Sequence, residues 1–258
     1  MKVKALVSLL ALAGAVGAAN AAVNTTLNNS ELFFTAYDTA NQTKSYTFDT
    51  GVNVASLIDG SINYSVNLGS DNNWNSFVSA VGGLSNVGWY VEAVQNQPGV
   101  NSKFVYATLG AGAAVGTLGT NTAFNSAANP LITAISNTTV SAGNSEIDAA
   151  GTAAYLGNSA AAGQTFDQFS PAGVGQLSNV VGTTGVSFFG VANSNTTKPT
   201  SKVTLFSTPT PVAGFTSGGL LTIAAVPVVT PSVPEPSSCA LALTALAGIG
   251  FIARRRAK

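Results

Sequence analysis

The stretch "ELFFTAYD", from Glu31 to Asp38, decides the fold class of this 258-residue chain. It is rich in aromatic and β-branched residues, which favour strands. Four more stretches of the first half share this character, and several alternate between apolar and polar residues: "KSYTF" (44–48), "SINYSVNL" (61–68), "VGWYVEAV" (87–94) and "KFVYATL" (103–109). Turn-forming pairs punctuate the run at 59–60, 82–83 and 98–99. The pattern predicts a mainly β domain.

One segment between the third and fourth predicted strands has helical spacing. "NNWNSFVSAVGG" places Trp74, Phe77, Val78 and Val81 on one face of a helix. We therefore expect one short helix that lies on the sheet.

The middle of the chain, residues 110–182, is dominated by Ala, Gly, Ser, Thr and Asn. It holds one helical face that Pro130 interrupts, and we expect an insertion that lies over the sheet. Strands return in three late stretches: "GVSFFGVAN" (185–193), "SKVTLFST" (201–208) and "GGLLTIAAVP" (218–227). Pairing of late with early strands predicts a single β-sandwich-like domain over residues 22–226, with one or two short helices.

Charge and residue types exclude several function classes. Between positions 22 and 233 lie nine acidic and four basic residues without a basic cluster, which disfavours nucleic-acid binding. The chain has no histidine, so triads and metal sites that need imidazole are excluded. Its only cysteine is Cys239, so the domain has no disulfide and no cysteine nucleophile.

The first 21 residues have the three parts of a secretory signal peptide. A basic start at Lys2 and Lys4 precedes an apolar run, and the small residues Ala19 and Ala21 flank Asn20. Cleavage after Ala21 satisfies the small-x-small rule. The sequence predicts export.

The last 32 residues have the parts of a temporary membrane anchor. Residues 227–238 form a Pro-rich linker, and residues 239–253 carry no charge and would make a helix of about 22 Å. The hydrocarbon core is about 30 Å thick, so this is a short transmembrane span that flanking residues complete. The basic tail, residues 254–258, stays in the cytoplasm and leaves the domain outside. Upstream, Pro234 and Pro236 keep Glu235 extended, as a processing enzyme requires.

The order Val-Pro-Glu-Pro-Ser, apolar helix and arginine cluster, with an N-terminal signal, resembles the PEP-CTERM sorting domain of exported bacterial proteins. The resemblance covers residues 233–258. It implies recognition and cutting by exosortase, a membrane-embedded transpeptidase-like enzyme, and members occur in Gram-negative bacteria that make exopolysaccharide. On this chain, the recognition element would be Pro234, Glu235 and Pro236, and the membrane stop would be Arg254, Arg255 and Arg256. Cys239 departs from the bulkier residues usual at its position, and we interpret it as a small helical residue.

The first half also resembles a group of PEP-CTERM proteins whose mature region starts with a "GELFLSVYD"-like strand. The matching residues are Glu31 to Asp38, Ser45 to Gly51, Trp74 to Phe77 and Trp89 to Ala93. This resemblance brings no activity with it.

Four features have a chemical and a plainer interpretation. Glu146 and Asp148 are the closest acids for glycoside hydrolysis, but a solvated loop is the default. The lysines at 103, 198 and 202 have serines nearby, but not in Ser-x-x-Lys order. "DNNWN", residues 71–75, has the first oxygens of a calcium loop, but a helix cap fits better. Residues 110–116 are glycine-rich without phosphate-loop spacing, and we interpret them as a hinge.

Aromatic residues offer a further alternative. Trp74, Trp89 and Tyr90 can form a stacking platform for sugar rings or belong to the core, and the core is the interpretation we prefer. If Trp89 faces inward, Tyr90 faces outward. Asn-x-Ser/Thr triplets also occur, as this composition would generate by chance, at Asn24, Asn28, Asn41, Asn63, Asn137 and Asn195.

These observations predict a non-enzymatic exported protein with a structural or adhesive role in exopolysaccharide or biofilm. We expect no catalytic residue, no metal and no cofactor. The expected partners are an exosortase-like processing enzyme, the inner membrane for a limited time, and exopolysaccharide. The protein would be anchored in the inner membrane before processing and would then lie in the cell envelope or outside the cell. The alternatives are a carbohydrate-binding module and a carboxylate-dependent glycoside hydrolase.

Overall fold

A computed structural model describes residues 30–96, 103–110, 129, 131–156, 179–192, 202–204 and 210–225. The chain divides into two compact units, residues 1–226 and 227–258, and every described residue belongs to the first. The predicted signal peptide, linker, transmembrane helix and basic tail lie outside the described residues. Of the helices in the described ranges, none is long and apolar enough to cross a membrane.

Eleven strands are present in the described ranges: β1 Glu31–Asp38, β2 Lys44–Asn53, β3 Asn63–Asn67, β4 Val87–Asn96, β5 Lys103–Thr108, β6 Ser145–Ala149, β7 Asn179–Val180, β8 Val186–Ala192, β9 Lys202–Thr204, β10 Pro211–Phe215 and β11 Leu220–Ala225. The helices are α1 Val54–Asp59, α2 Asn72–Ala80 and α3, residues 131–137. Single 3₁₀ turns lie at Leu68–Ser70 and Leu84–Asn86. The mainly β prediction with few helices is confirmed.

All strand pairs are antiparallel, and nine strands follow one another in the order β3-β11-β10-β8-β5-β4-β1-β2-β6. The short strands β7 and β9 add to β4 and β8. Late strands pair with early ones as predicted, since β8 pairs with β5 and β11 with β3. The described strands form one continuous sheet where the sequence predicted the layers of a sandwich.

The reason for the single sheet is strand β8. Its first residues, Val186 and Ser187, pair with β10, whereas its later residues pair with β5 and β9. The strand therefore connects the two halves, and the right-handed twist of neighbouring strands accumulates across them. The sheet curls until residues of its edge strands β3 and β6 line the same pocket. Its inner face makes a core of the kind that two sandwich layers would share.

The inner core is aromatic at its centre. The ring of Phe34 on β1 lies 4.6 Å from that of Phe215 on β10 and 6.0 Å from that of Trp89 on β4. Helix α2 adds Trp74 and Phe77, which are both buried. The predicted helix lying on the sheet is confirmed, because its apolar face packs into this core.

The outer face carries a second apolar cluster beneath α3. Leu131 and Ile135 of this helix are fully buried against residues such as Phe33 of β1 and Phe189 of β8. The expectation of a helix lying over the sheet holds for this described part of residues 110–182. One element within that segment was predicted wrongly, because residues 145–149 form the edge strand β6, which pairs with β2.

Candidate functional site

The predicted sorting residues lie outside the described residues. They are Ala19 and Ala21 of the signal peptide, Pro234, Glu235 and Pro236 of the recognition element, and Arg254, Arg255 and Arg256 of the membrane stop. Cys239 lies outside them as well. Their roles remain predictions from sequence.

Within the described residues, a pocket of about 650 Å³ lies between the edge strands β3 and β6, and we call it the edge pocket. Amides and hydroxyls dominate its lining, with two aromatic rings, one carboxyl group and no lysine or arginine. The lining residues are Phe48, Tyr64, Val66, Asn67, Leu68, Ser70, Asp71, Asn72, Asn73, Gly143, Asn144 and Ser145.

The first wall is formed where β3 passes through a 3₁₀ turn into α2. The Asn67 carboxamide oxygen accepts from Gly69 N at 2.9 Å, which fixes the turn. Glycine is required there, because a Cβ on Gly69 would lie 2.6 Å from Gly218 O. Asp71 then caps the helix, since its Oδ1 accepts from Asn73 N at 2.7 Å. Local turn and cap chemistry therefore places the polar lining residues Asn67, Asp71 and Asn73 along one wall of the edge pocket.

The second wall is the turn before β6 together with the start of that strand. Asn73 Nδ2 donates to Ser145 O at 2.9 Å and to Ser145 Oγ at 3.0 Å, which links α2 to β6. Asn144 Nδ2 donates to Ser141 Oγ at 2.8 Å. The Asn73–Ser145 bonds hold the two sides of the edge pocket together, and the Asn144–Ser141 bond fixes the turn of the second wall.

Asp71 supplies the charge of the edge pocket. Burial alone would raise the pKa of its carboxyl, but hydrogen bonds from Ser145, Tyr46 and the amide of Asn73 lower the pKa below its ordinary value. The Tyr46 hydroxyl donates to Asp71 Oδ2 at 2.8 Å. Asp71 is therefore an anion at neutral pH, and among the lining residues no cation faces it.

A second polar group lies on the outer face, and we call it the outer polar row: Thr35, Thr47, Glu92, Glu146 and Asp148. Strand register sets it, because Thr35 lies opposite Thr47 and Thr47 opposite Glu146. Thr35 Oγ1 donates to Glu92 Oε1 at 3.3 Å. Four buried oxygens of the row have no hydrogen-bond partner among the described residues: Thr47 Oγ1, Glu92 Oε2, Glu146 Oε1 and Asp148 Oδ2.

Three acids of the outer face, Glu92, Asp148 and Asp49, have raised pKa values. Burial raises the pKa of Glu92 to about 8, against hydrogen bonds from Thr35 and Tyr90 that lower it. Burial and the neighbouring Glu146 raise the pKa of Asp148 to about 7. On the same face, burial and Glu31 raise the pKa of Asp49 to about 6.

The Glu146–Asp148 pair is not the solvated loop that the sequence favoured. Both residues lie half-buried on β6, and Glu146 Oε2 accepts from Thr139 N at 2.9 Å and from Thr139 Oγ1 at 2.6 Å. Side chains alternate along a strand, so the pair points away from the edge pocket that Ser145 lines. The two acids lie together, but on the opposite face from the pocket.

The aromatic residues that were candidates for a sugar platform belong to the core. Trp74 is 4% exposed, and Trp89 and Tyr90 are 0% exposed. The preferred core interpretation is correct, and the platform alternative is wrong. Trp89 packs in the inner core and Tyr90 on the outer face, as alternation predicts.

The helix-cap interpretation of residues 71–75 is confirmed by the Asp71 cap. In the described ranges, no group of three or more acidic or cysteine residues is placed to hold a metal ion. Lys198 and residues 111–116 of the expected hinge lie outside those ranges. Of the triplet asparagines, Asn41, Asn63 and Asn137 are exposed, and the other three lie outside the described residues.

Sequence reasoning missed the edge pocket. Its two walls are 70 or more residues apart in the chain, so no local pattern joins them. The available signal was the composition of the two runs 67–73 and 143–145, which are rich in Asn and Ser directly beside strands.

Comparison with known proteins concerns the carboxy terminus. Residues 232–256 match the PEP-CTERM protein-sorting motif, which confirms the resemblance found in the sequence and is consistent with an exosortase substrate. The motif supports export, with membrane anchoring before processing. No curated protein and no solved structure is significantly similar to the chain.

Proposed function

We propose that this chain, which carries the PEP-CTERM protein-sorting motif at residues 232–256, is a non-enzymatic surface or extracellular-matrix protein. Its β-rich domain would be held at the inner membrane, processed by an exosortase-like enzyme and passed to the cell envelope or the surrounding exopolysaccharide. Its role there would be structural or adhesive, as in a biofilm. The sorting motif is the observation that carries the proposal.

The processing step would use the tail in three parts. Pro234, Glu235 and Pro236 form the recognition element, residues 239–253 the temporary anchor, and Arg254 to Arg256 the cytoplasmic stop. Two prolines fix φ and keep the intervening glutamate extended, which suits an enzyme that grips a peptide beside the membrane. Signal cleavage after Ala21 would free the other end.

The placement of the acids supports a non-catalytic role. General acid–base work requires a carboxyl group within reach of a substrate. In the outer polar row, Glu92 is 0% exposed, Glu146 and Asp148 are half-buried, and the acids point away from the edge pocket. The one acid in the pocket, Asp71, already caps α2 and accepts from Tyr46. This arrangement does not favour the glycoside hydrolase alternative.

Surface composition supports a hydrated, glycan-rich destination. Charged residues make up only 8% of the chain, and its exposed turns are rich in Asn, Ser and Thr. Such groups both donate and accept hydrogen bonds, as sugar hydroxyls do. A surface of this kind suits contact with neutral polysaccharide better than contact with phosphate.

Intact-mass analysis of the protein from its native host tests the proposal. We expect the mass to lack residues 1–21 and the segment that follows the Pro-Glu-Pro element. Glu235→Ala should leave the tail attached and the protein in the membrane fraction. Thr230→Ala, a linker change outside the matched motif, should be processed normally. Wild-type protein that keeps Arg256 and is freely soluble in the cytosol would overturn the proposal.

A further inference from the structure

We propose that the edge pocket binds a neutral saccharide unit, so that the exported protein holds a glycan chain at the open edge of its sheet. This inference rests on the proposed function, because it names the chemical class of a partner outside the cell. It follows from the size, lining, charge and rigidity of the pocket.

The size and polar lining fit a hydroxyl-rich ligand. A volume of about 650 Å³ falls within the range of roughly 300–1,000 Å³ that small-molecule pockets occupy. Four asparagines and two serines line it: Asn67, Asn72, Asn73, Asn144, Ser70 and Ser145. A carboxamide has two donors and an acceptor, and a hydroxyl has both functions. The walls use Asn67 Oδ1, Asn73 Nδ2 and Asn144 Nδ2 in their own hydrogen bonds. The Asn67 amide donors, the Asn144 carboxamide oxygen and the Asn72 side chain are left for a ligand. A ligand that needs donors and acceptors at closely spaced positions is a polyol or a sugar.

One wall is apolar, as the C–H face of a sugar ring requires. On β3 the exposed residues Asn63, Ser65 and Asn67 alternate with the half-buried Tyr64 and Val66. The two half-buried side chains therefore share the face that lines the pocket. An aromatic ring combines a large apolar surface with a polar tip. The pocket thus has an apolar side on β3 and amides at its rim.

Charge selects against acidic ligands. The lining contains Asp71, an anion at neutral pH, and neither lysine nor arginine. A uronate, sulfate or phosphate group would meet a like charge at short range without a cation to pair with it.

The site is formed before any ligand arrives. Asn73 ties α2 to Ser145 through two hydrogen bonds, and Asn67 fixes the turn through Gly69 N. Behind this turn, a Cβ on Gly219 would lie 2.5 Å from Gly69 N, which shows how closely the two backbones approach. A site held in this way loses little conformational entropy on binding, so even a weakly interacting sugar can be held.

The test is a glycan array followed by titration calorimetry. Full-chain protein is kept in an amine-oxide detergent, because detergents with sugar headgroups would compete. The array carries neutral oligosaccharides of glucose, galactose, mannose and N-acetylglucosamine beside uronate and sulfated oligosaccharides. We expect binding to one or more neutral glycans and none to the acidic ones. The tightest neutral glycan then serves as the probe for the variants.

Two variants alter the edge pocket, and each has a matched control. Tyr64→Leu keeps apolar bulk but removes the flat ring and should weaken binding about tenfold. Asn72→Ala removes an exposed amide from α2 and should weaken binding about threefold to tenfold. Asn63→Ala on the same strand and Ser76→Ala on the same helix change exposed residues outside the lining and should bind as wild type. Near-ultraviolet circular dichroism checks that every variant is folded.

The inference is overturned if no neutral glycan binds above background, if acidic glycans bind better, or if folded pocket variants bind as their controls do. Binding in detergent does not depend on processing. An unprocessed tail in the native host would overturn the proposed function and leave glycan binding standing. Normal processing without glycan binding would overturn this inference and leave the proposed function standing.

Discussion

On strands β1, β2 and β4, side chains of the inner face are mostly aromatic or aliphatic, whereas their neighbours on the outer face include acids and threonines. Phe34, Tyr46 and Trp89 point inward, and the one buried hydroxyl among them has a partner in Asp71. On the outer face, Thr47 and Glu92 are equally buried, yet each keeps an oxygen without a partner among the described residues. Equal burial therefore has different energetic consequences for the inner aromatic residues and for the polar residues of the outer face. Both faces carry an apolar cluster that stabilises the fold, and the outer polar row also makes the stability depend on pH.

The comparison predicts the largest effect at the centre of the inner face. Phe34 is fully buried and its ring contacts those of Tyr46, Trp74, Trp89 and Phe215. Phe34→Ala should lower the free energy of unfolding by about 3–5 kcal/mol, measured by urea denaturation. A loss below about 1 kcal/mol would show that this cluster is not the main source of stability.

The second prediction is a loss of stability as pH rises. Glu92, Asp148 and Asp49 have folded-state pKa values of about 8, about 7 and about 6, each above the value of an unfolded carboxyl. The folded state therefore binds protons more tightly than the unfolded state. The resulting stability is fully present below the unfolded pKa values and is lost as pH rises through the folded ones. We expect the free energy of unfolding to fall steadily between pH 5 and pH 9, with Glu92 as the largest contributor.

Urea denaturation over that pH range gives the measurement, and Glu92→Gln identifies the source. The amide imitates the neutral acid, so this variant should lose less stability toward pH 9 than wild type. Stability that is constant or rises with pH would contradict the assignment of neutral acids to the outer face.

Some strands could be predicted from the sequence and others could not, for physical reasons. Strand β1 was predicted from end to end, because its aromatic run contains no glycine or proline. Strand β10, "PVAGF", was missed because proline and glycine usually weaken strands. Gly214 is nevertheless tightly packed, since a Cβ there would lie 3.1 Å from Thr184. Strand β6 was missed because its acids suggest a loop, although charged residues are common on edge strands.

The sorting motif could be predicted from the sequence, whereas the edge pocket could not. The sorting motif is a continuous segment, residues 232–256, so the sequence alone reveals it. The edge pocket lies between β3 and β6, which are the two ends of the nine-strand order. No local sequence pattern predicts that order. Local motifs were predictable, and contacts that depend on the curl of the sheet were not.

The third prediction compares two buried threonines, one whose hydroxyl has no hydrogen-bond partner among the described residues and one whose hydroxyl has two. Thr47→Val removes a hydroxyl that has no partner among the described residues, so it should raise the free energy of unfolding by about 1 kcal/mol. Thr50→Val is the matched control. The Thr50 hydroxyl donates to Leu32 O at 2.6 Å and accepts from Val52 N at 3.1 Å, so its removal should cost about 1–2 kcal/mol. If both variants changed the free energy of unfolding in the same direction, the missing hydrogen bond of Thr47 would not be the reason for its effect.

The smallest expected effect comes from two aspartates with opposite surroundings. Asp148 lies beside Glu146, so Asp148→Asn removes a like-charge contact and should raise stability above pH 7 by about 0.5 kcal/mol, since water screens a half-buried pair. Asp38, at the end of β1, behaves differently. Burial alone would raise its pKa, but hydrogen bonds from the Asn41, Thr43 and Ala40 amides and the Thr43 hydroxyl lower it below its ordinary value.

Asp38→Asn should therefore lower stability at neutral pH, because the folded state favours the ionised carboxylate that the amide replaces. The difference should disappear as pH falls through the folded pKa of Asp38, where the wild-type carboxylate takes up a proton. For Asp148→Asn the gain should instead disappear below pH 7, where wild-type Asp148 is already neutral. Thermal unfolding of the two variants at pH 5 and pH 8 separates these outcomes, and a gain for Asp148→Asn that persists at pH 5 would mean that repulsion from Glu146 is not its cause.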